Sequence, residues 1–430
     1  MIGTLSLWLL LGLLVGLAEW PYQLISELGF RLQRQLWTLT PLQPGGTGVH
    51  GVPVVGALLV FLASMATVWL AWGALSAGRG GGVTPLLALQ REDQHSSTAV
   101  WLGRLDISTQ LRRLPLILLA HVGGLTVGVE SPSAALGASL LLAIRERWPR
   151  LRPIAGLPLP LIAAIGGGAG LGAAFRSPLL GVAYGIEELS REKGLPLSLP
   201  TLLLAGSGAL IATRLGQPAR LEGLQLGPMP GKLWIWATLI TLTGALLGTV
   251  FVRLLIPLAS QLSRHLVKQR LPWTVGLALM LTLVAILSDG LSLNDGSMSL
   301  AAVLQGLPGG SALTLVWRGV AALLSIAAGA PGGLMHDTMS LGGLLVTPLG
   351  FLPPEQQAQL AAIGATALFA AANGTPLFCA LFVFTLQGDP LLLPLLLMVS
   401  AVSASLARGW RGPTWNEAQL ERLIQPSVRG

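Results

Sequence analysis

Apolar stretches recur along almost the whole chain, and most of them are interrupted by glycine or proline. Clear examples lie near residues 51–75, 154–175, 233–252, 272–288 and 390–407. Charged residues make up 10% of the 430, against about 25% in soluble domains, and mean hydropathy is +0.71; the chain reads as a polytopic membrane protein. With 55 Gly and 29 Pro, many runs fall short of a simple span. The pattern predicts an all-α fold of tilted, short and re-entrant helices. Spacings such as Gly12-xxx-Gly16 and Gly168-xxx-Gly172 predict close helix–helix approach. The first twenty residues lack a basic n-region and are expected to remain as the first helix. The net charge of +8 is assigned to basic loops at 145–152, 191–193 and 264–270 that flank the membrane, not to nucleic-acid binding. The single cysteine, Cys379, excludes an intrachain disulfide and a Cys-based metal site.

Between Arg113 and Arg145, Glu130 is the one charged side chain, the titratable His121 aside. A carboxylate near the middle of such a stretch costs about 2.5–3.5 kcal/mol on insertion scales. It also lies in a break, Gly-Val-Glu-Ser-Pro, where a helix is not expected to be continuous. Broken backbone at membrane depth is tolerated where it lines a pathway, so Glu130 is a candidate ion or proton site.

The chain also repeats itself. Residues 163–189 and 361–387 align at a constant shift of 198, with Ala163/Ala361, Ile165/Ile363, Gly166/Gly364, Pro178/Pro376 and Leu179/Leu377 identical and Ser177/Thr375 conservative. One transmembrane domain, 1–430, is therefore expected, with a first half at 1–215, a second at 230–410 and a tail at 411–430. A second Gly-rich break lies upstream of the repeat in each half, at 126–137 and 329–342. Paired breaks point to one shared site at mid-membrane.

Such a site suits an anion. A helix start leaves backbone N–H groups unpaired and carries partial positive charge, so converging starts bind an anion without a buried lysine or arginine. Candidate starts are 82–85, 130–133 and 334–338, each with a glycine one or two residues before it.

At this point the residues resemble the CLC family of chloride channels and proton/chloride exchangers. Residues 128–137, GVESPSAALG, are similar to the family's GREGP segment; residues 170–189 look like its GLAAAFNAPLAGILFIIEE segment. Residues 329–345 resemble GAPGGIFAPMLALG, and residues 374–397 resemble APLTGIILVLEMT with the helix after it. The resemblance implies an all-helical protomer of two inverted-topology repeats, paired as a homodimer. It implies that Glu130 is the external gate, competing with the anion and carrying a proton, and that Glu188 is the internal proton-transfer acid. Glu187 is left with a solvent or structural contact. The resemblance further implies an anion site around Gly82, Thr84, Glu130, Ser131, Leu334, Met335 and Trp415.

The chain departs from the family at several of these positions. The serine of the GSGIP loop is missing from Gly81-Gly82-Val83-Thr84-Pro85, leaving Thr84 one residue away to offer a hydroxyl. Trp415 stands where a pore-facing tyrosine is expected, and His336 and Asp337 replace Ala-Pro. Asp337 is expected to cap the helix that follows.

The reading is a proton-coupled chloride antiporter of a bacterial inner membrane, with chloride and protons as its ligands, no cofactor, no resident metal and no nucleic-acid partner. A passive chloride channel and a fluoride-selective exchanger are the alternatives on the same scaffold. An intramembrane enzyme is disfavoured. The histidines at 50, 95, 121, 265 and 336 are scattered, and there is no HExxH; His121 is expected to pack between helices. No nucleotide-binding P-loop or appended regulatory domain is expected.

Overall fold

The structure, a computed structural model, describes residues 2–37, 54–91, 98–217 and 226–428; His50 and His95 lie outside them. The described residues form an all-α protein. The first half contains α1 (Ile2–Leu36), α2 (Val54–Ala71), α3 (Thr84–Leu89), α4 (Thr98–Arg104), α5 (Ile107–Val122), α6 (Glu130–Arg147), α7 (Leu159–Ala174), α8 (Pro178–Tyr184) and α9 (Leu195–Arg214). The second contains α10 (Trp234–Lys268), α11 (Arg270–Leu287), α12 (Ser297–Leu304), α13 (Ala312–Ala327), α14 (Met335–Gly343), α15 (Pro354–Asn373), α16 (Pro376–Gln387), α17 (Leu393–Arg411) and α18 (Trp415–Val428). Among the described residues six helices are long and apolar enough to cross a membrane: α1, α2, α9, α10, α11 and α17. The N-terminal stretch is helical as expected, and the basic clusters fall at helix ends or in loops.

Small residues set how closely the helices pack. A Cβ on Gly166 of α7 would lie 2.5 Å from the Gly137 carbonyl oxygen of α6. One on Gly364 of α15 would press into the Gly342 carbonyl of α14. The same crossing is therefore built twice. Gly12 and Gly16 of α1 abut Leu204 and Gly208 of α9, while Gly168 and Gly172 of α7 meet Gly181 and Ala205. In each case only hydrogen in place of a side chain allows the backbones this close.

The two breaks are joined to each other. Gly128 and Gly333 form an antiparallel bridge, exchanging N–H···O bonds of 3.3 and 3.1 Å. At the shift that aligns these two glycines, Glu130 aligns with Met335 and Gly137 with Gly342. A pair of equivalent residues that exchange both hydrogen bonds lies on a local two-fold. This is the arrangement of two inverted-topology repeats meeting at their breaks.

The repeated Ser/Thr-Pro pairs also have matching places. Ser177 and Thr375 are the N-cap residues of α8 and α16, each followed by proline at the first helical position, where its missing N–H costs nothing. Ser177 Oγ lies 3.1 Å from Thr385 Oγ1, tying α16 to the start of α8.

Candidate functional site: a buried carboxylate at the junction of the repeats

Three chain breaks converge on Ser131. The first precedes α3: a Cβ on Gly81 would lie 2.6 Å from Ser131 Cβ and 3.1 Å from the Gly332 carbonyl oxygen. The second is the start of α6, which carries Glu130 and Ser131 as its first two residues. The third is the Gly332–Gly333 turn before α14, where a Cβ on Gly333 would sit 2.6 Å from Ser131 Oγ and 3.7 Å from Glu130 Oε2. The starts expected at 82–85, 130–133 and 334–338 thus open at Thr84, Glu130 and Met335. Their leading loops meet in one place.

Behind the first loop lies a group that the sequence reading did not single out. Gly82 has φ +88, and the guanidinium of Arg113 occupies the place of a Cβ, with Nη1 at 2.5 Å from it. Arg113 is buried, donating to the Gly78 carbonyl at 3.2 Å and the Gln110 side chain at 2.5 Å. Its positive charge backs the Gly81–Gly82 loop, with no ion pair to a carboxylate among the described residues. Thr84, half-buried, is the first residue of α3.

Glu130 is wholly buried. Its Oε1 meets His336 Nδ1 from the opposite break, while Oε2 has no hydrogen-bond partner among the described residues. His336 stacks on Phe175 with ring centroids 5.6 Å apart and meets Phe382 edge-on at 5.4 Å. Asp337 does not cap α14 as expected. Leu334 is the N-cap, no side chain accepts a cap bond there, and Asp337 lies inside the helix. Its carboxylate instead faces Arg318 of α13 at 3.6 Å, with both side chains 1% exposed. A charged guanidinium within reach compensates a buried carboxylate's charge, which a backbone N–H does not. Arg318 also donates to the Leu291 and Asn294 carbonyls, at 2.8 and 3.1 Å. Asp295 joins the group: ligand atoms of Glu130, Asp295 and His336 lie within 4.8 Å of one another. With a guanidinium ion-paired to the adjoining Asp337, the cluster suits sharing of protons better than seating of a cation.

Glu188 lies elsewhere. It borders a cavity of about 630 Å³ together with Glu187, Arg408 and Arg411, and accepts a hydrogen bond from Asn416 at 2.7 Å. Glu187 caps α16, accepting from the Leu377 and Phe378 amides at 3.0 and 2.7 Å; the structural contact expected for it is found. A second cavity, of about 600 Å³, reaches Arg318 and His336. Arg191, just before α9, borders the first cavity, and Leu215, just after it, borders the second. Twenty residues of helix span about 30 Å, so the cavities open at opposite ends of a membrane-crossing helix.

Tyr184 is near both acids. It is fully buried, packs on Phe378 at 4.6 Å, and its hydroxyl has no partner among the described residues. Both Glu188 and Glu130 lie within its electrostatic reach. The signal for it was present in the sequence: it is one of two tyrosines and stands four residues before Glu188, about one helical turn.

The chain matches the profile described as voltage gated chloride channel over residues 94–408. It belongs to this family. The H(+)/Cl(−) exchange transporter ClcA of Yersinia pestis bv. Antiqua (strain Angola) is 27% identical over 328 residues, which cover 70% of this chain and 66% of that protein. The chain therefore matches slightly under two thirds of that relative's length. Two crystal structures share the fold: a slow cyanobacterial Cl−/H+ antiporter with TM-score 0.74, 21% identity and 99% of each chain covered, and a CLC-type fluoride/proton antiporter with TM-score 0.70, 22% identity, 94% of this chain and 96% of the other covered.

As a CLC-family chain, this is an integral membrane protein. The residues singled out in the sequence divide into two groups. Gly82, Glu130 and Ser131 lie at or beside the convergence of breaks; Leu334 and Met335 open α14 there. Trp415 opens α18 and packs on the apolar cluster that contains Val127 and Leu334; its neighbour Asn416 makes the contact to Glu188. His121 packs as expected, buried edge-on to Phe30 with Nδ1 2.9 Å from the Ile117 carbonyl.

Proposed function

We propose that this chain is a proton-coupled chloride antiporter, a transporter and not an enzyme. The observation that carries the proposal is the placement of two acids. Glu130 is buried where the breaks of both halves meet, Glu188 borders a cavity at the other end of α9, and the buried Tyr184 hydroxyl is within electrostatic reach of both. A channel has no need of the second acid. An anion held by the amides around Gly81–Gly82, Ser131 and Leu334–Met335 occupies the place that the Glu130 carboxylate contests. Its arrival favours protonation of Glu130 and its departure favours the charged form. Exchange follows from that mutual dependence, with Glu188 passing protons to and from its cavity and Trp415 bordering the pathway.

The working unit is the single domain 1–430 with halves at 1–215 and 230–410, assembled as a homodimer in a bacterial inner membrane. The exchange transporter and the chloride/proton antiporter that this chain resembles support the same reading.

Purified protein in liposomes with a chloride gradient, read simultaneously for chloride and pH, tests it. Chloride should drive protons in the opposite direction, and Glu130→Gln should stop the protons while anions still pass. Chloride flux with no proton movement would replace the antiporter by a channel.

Fluoride exchange is the second reading. The Gly81–Gly82–Val83 loop offers no hydroxyl to a central anion, and the fluoride/proton antiporter shares the fold. Fluoride and chloride compared in the same liposomes decide between them.

A further inference from the structure

The end of α10 and the start of α11 form a basic corner that ion exchange leaves unused. Val250, Leu254, Pro257, Gln261, Arg264 and Lys268 follow one another at spacings of three and four, so they share one face of α10, and all six are exposed. That face runs from apolar side chains to two cations at the end of a membrane-crossing helix. Arg270 opens α11 just beyond Gln269. Its guanidinium lies 3.9 Å from the centre of the Trp69 ring, and Nη1 donates to the Trp72 carbonyl at 3.1 Å. His265 stacks on Trp273 with ring centroids 4.3 Å apart, and Val267 and Leu271 stand exposed beside the cations. Indole rings next to cations on neighbouring helix ends are the side chains that a membrane–water interface selects.

The charge at this corner is unbalanced. Arg422 of α18 donates to the Ile256 carbonyl of α10 at 2.7 Å and lies within electrostatic reach of Arg264. Arg264 itself reaches only the Ser260 hydroxyl, at 3.3 Å. None of Arg264, Lys268, Arg270 and Arg422 is ion-paired to a carboxylate among the described residues, and the exposed Glu421 beside Arg422 forms no such pair. Guanidinium groups gathered without an acid call for an anion, and the two oxygens of a phosphodiester match their fork. A soluble anion would need the cations alone. The exposed apolar stripe that leads up to them fits acyl chains, which makes the occupant a lipid. We propose that this corner binds the headgroup of an anionic phospholipid, with Arg264, Lys268 and Arg270 holding the phosphodiester and the chains lying along Val250 and Leu254. Because Arg422 ties α18 to α10 at the same place, the bound headgroup also braces α18, whose Asn416 makes the contact to Glu188.

The test offers delipidated protein in detergent equal amounts of dioleoylphosphatidylglycerol and dioleoylphosphatidylcholine and counts the lipid retained by native mass spectrometry. Wild type should retain phosphatidylglycerol preferentially. Each basic side chain near an anionic lipid surface contributes roughly fivefold in affinity, so the double change Arg264→Gln, Lys268→Gln should lower the ratio of the two lipids by about tenfold or more. Both side chains are exposed, and neither holds a helix in place. Arg147→Gln with Arg150→Gln removes two exposed charges elsewhere and should leave the ratio within about twofold of wild type. An unchanged ratio in the first double variant, or an equal fall in the second, overturns the site. Displacement of the lipid by excess inorganic phosphate would reveal a site for a soluble anion and overturns it as well. Wild type alone gives a second reading should the variant fail to fold. Phosphatidylglycerol should raise its melting temperature above that in phosphatidylcholine, by an increment that shrinks in about 1 M salt; the absence of any increment overturns the proposal.

Discussion

Replacing Gly342 by alanine should destabilise the protein, although alanine is the better helix former. Intrinsic propensity favours Ala over Gly in a helix interior by about 1 kcal/mol. Against this stands the α14–α15 crossing. A Cβ on Gly342 would press into the Gly364 carbonyl oxygen, and would lie 2.7 Å from that carbonyl carbon and 2.8 Å from Ala365 Cα. All three are backbone atoms, so no rotamer can move aside. Relief requires the helices to part by roughly 0.7 Å, and overpacking of this kind costs about 1–3 kcal/mol. Parting also weakens the remaining contacts of the seam, because a gap of about 0.5–1 Å forfeits a quarter to a half of each dispersion well. The clash wins, and the net change is about 1–2 kcal/mol in the unfavourable direction. Gly276 in α11 supplies the control: a Cβ there meets nothing within 4 Å. Thermal unfolding of purified protein in one detergent, followed by tryptophan fluorescence, should place Gly276→Ala at or above wild type. Gly342→Ala should melt at least about 2 °C lower. Gly342→Ala melting level with Gly276→Ala would refute the reasoning, since propensity would then outweigh the crossing.

Other consequences concern the buried charges. Asp337→Asn leaves Arg318 buried without its carboxylate and should cost about 3–5 kcal/mol, seen as lost expression or a lower melting temperature; the double change Arg318→Met, Asp337→Leu should recover much of that. Glu187→Ala removes the acceptor of two α16 amides and should destabilise by about 1–2 kcal/mol without changing the chloride-to-proton ratio. Glu188→Gln should do the converse, slowing protons with little change in melting temperature. Tyr184→Phe removes a hydroxyl with no partner among the described residues, so melting should shift by less than about 1 kcal/mol equivalent, whereas a larger loss would mean the hydroxyl is bonded in the native protein.

Much of this was legible because membrane burial makes charge and backbone breaks expensive. Glu130 could be read from its isolation in an apolar run, and the helix starts from glycines that a lipid-facing helix has no need to carry. The Ser/Thr-Pro repeat announced α8 and α16 because proline suits one position of a helix and few others. Pairing between elements distant in sequence was another matter. Asp337 reads locally as a cap, since an acid just inside a helix start ordinarily serves the nearest amides. Its actual partner, Arg318, is nineteen residues upstream on α13, and no periodicity links the two. Arg113 was equally hidden: it closes an amphipathic-looking segment, and only the fold lays its guanidinium on Gly82. Local patterns reveal which groups are costly to bury; tertiary packing decides which other group offsets the cost.

The pseudo-symmetry explains why the partner of Glu130 comes from the other half. The Gly128–Gly333 bridge places equivalent positions on either side of one axis, so the first residues of α6 and α14 face a common point. A symmetric sequence would put like beside like, and two glutamates at this depth would repel. Here the first half supplies Glu130 and Ser131, while the aligned positions of the second are Met335 and His336. An acid is thus opposed by a thioether and lies diagonal to an imidazole, which removes the repulsion and gives the carboxylate a titratable partner. The second half adds Asp337 and Arg318 as a pair of its own, so their charges largely cancel and Glu130 feels the remainder. Sequence divergence between the repeats has therefore fallen where identity would be electrostatically untenable. The crossings that hold the scaffold, Gly137 on Gly166 and Gly342 on Gly364, have stayed the same because each tolerates only hydrogen.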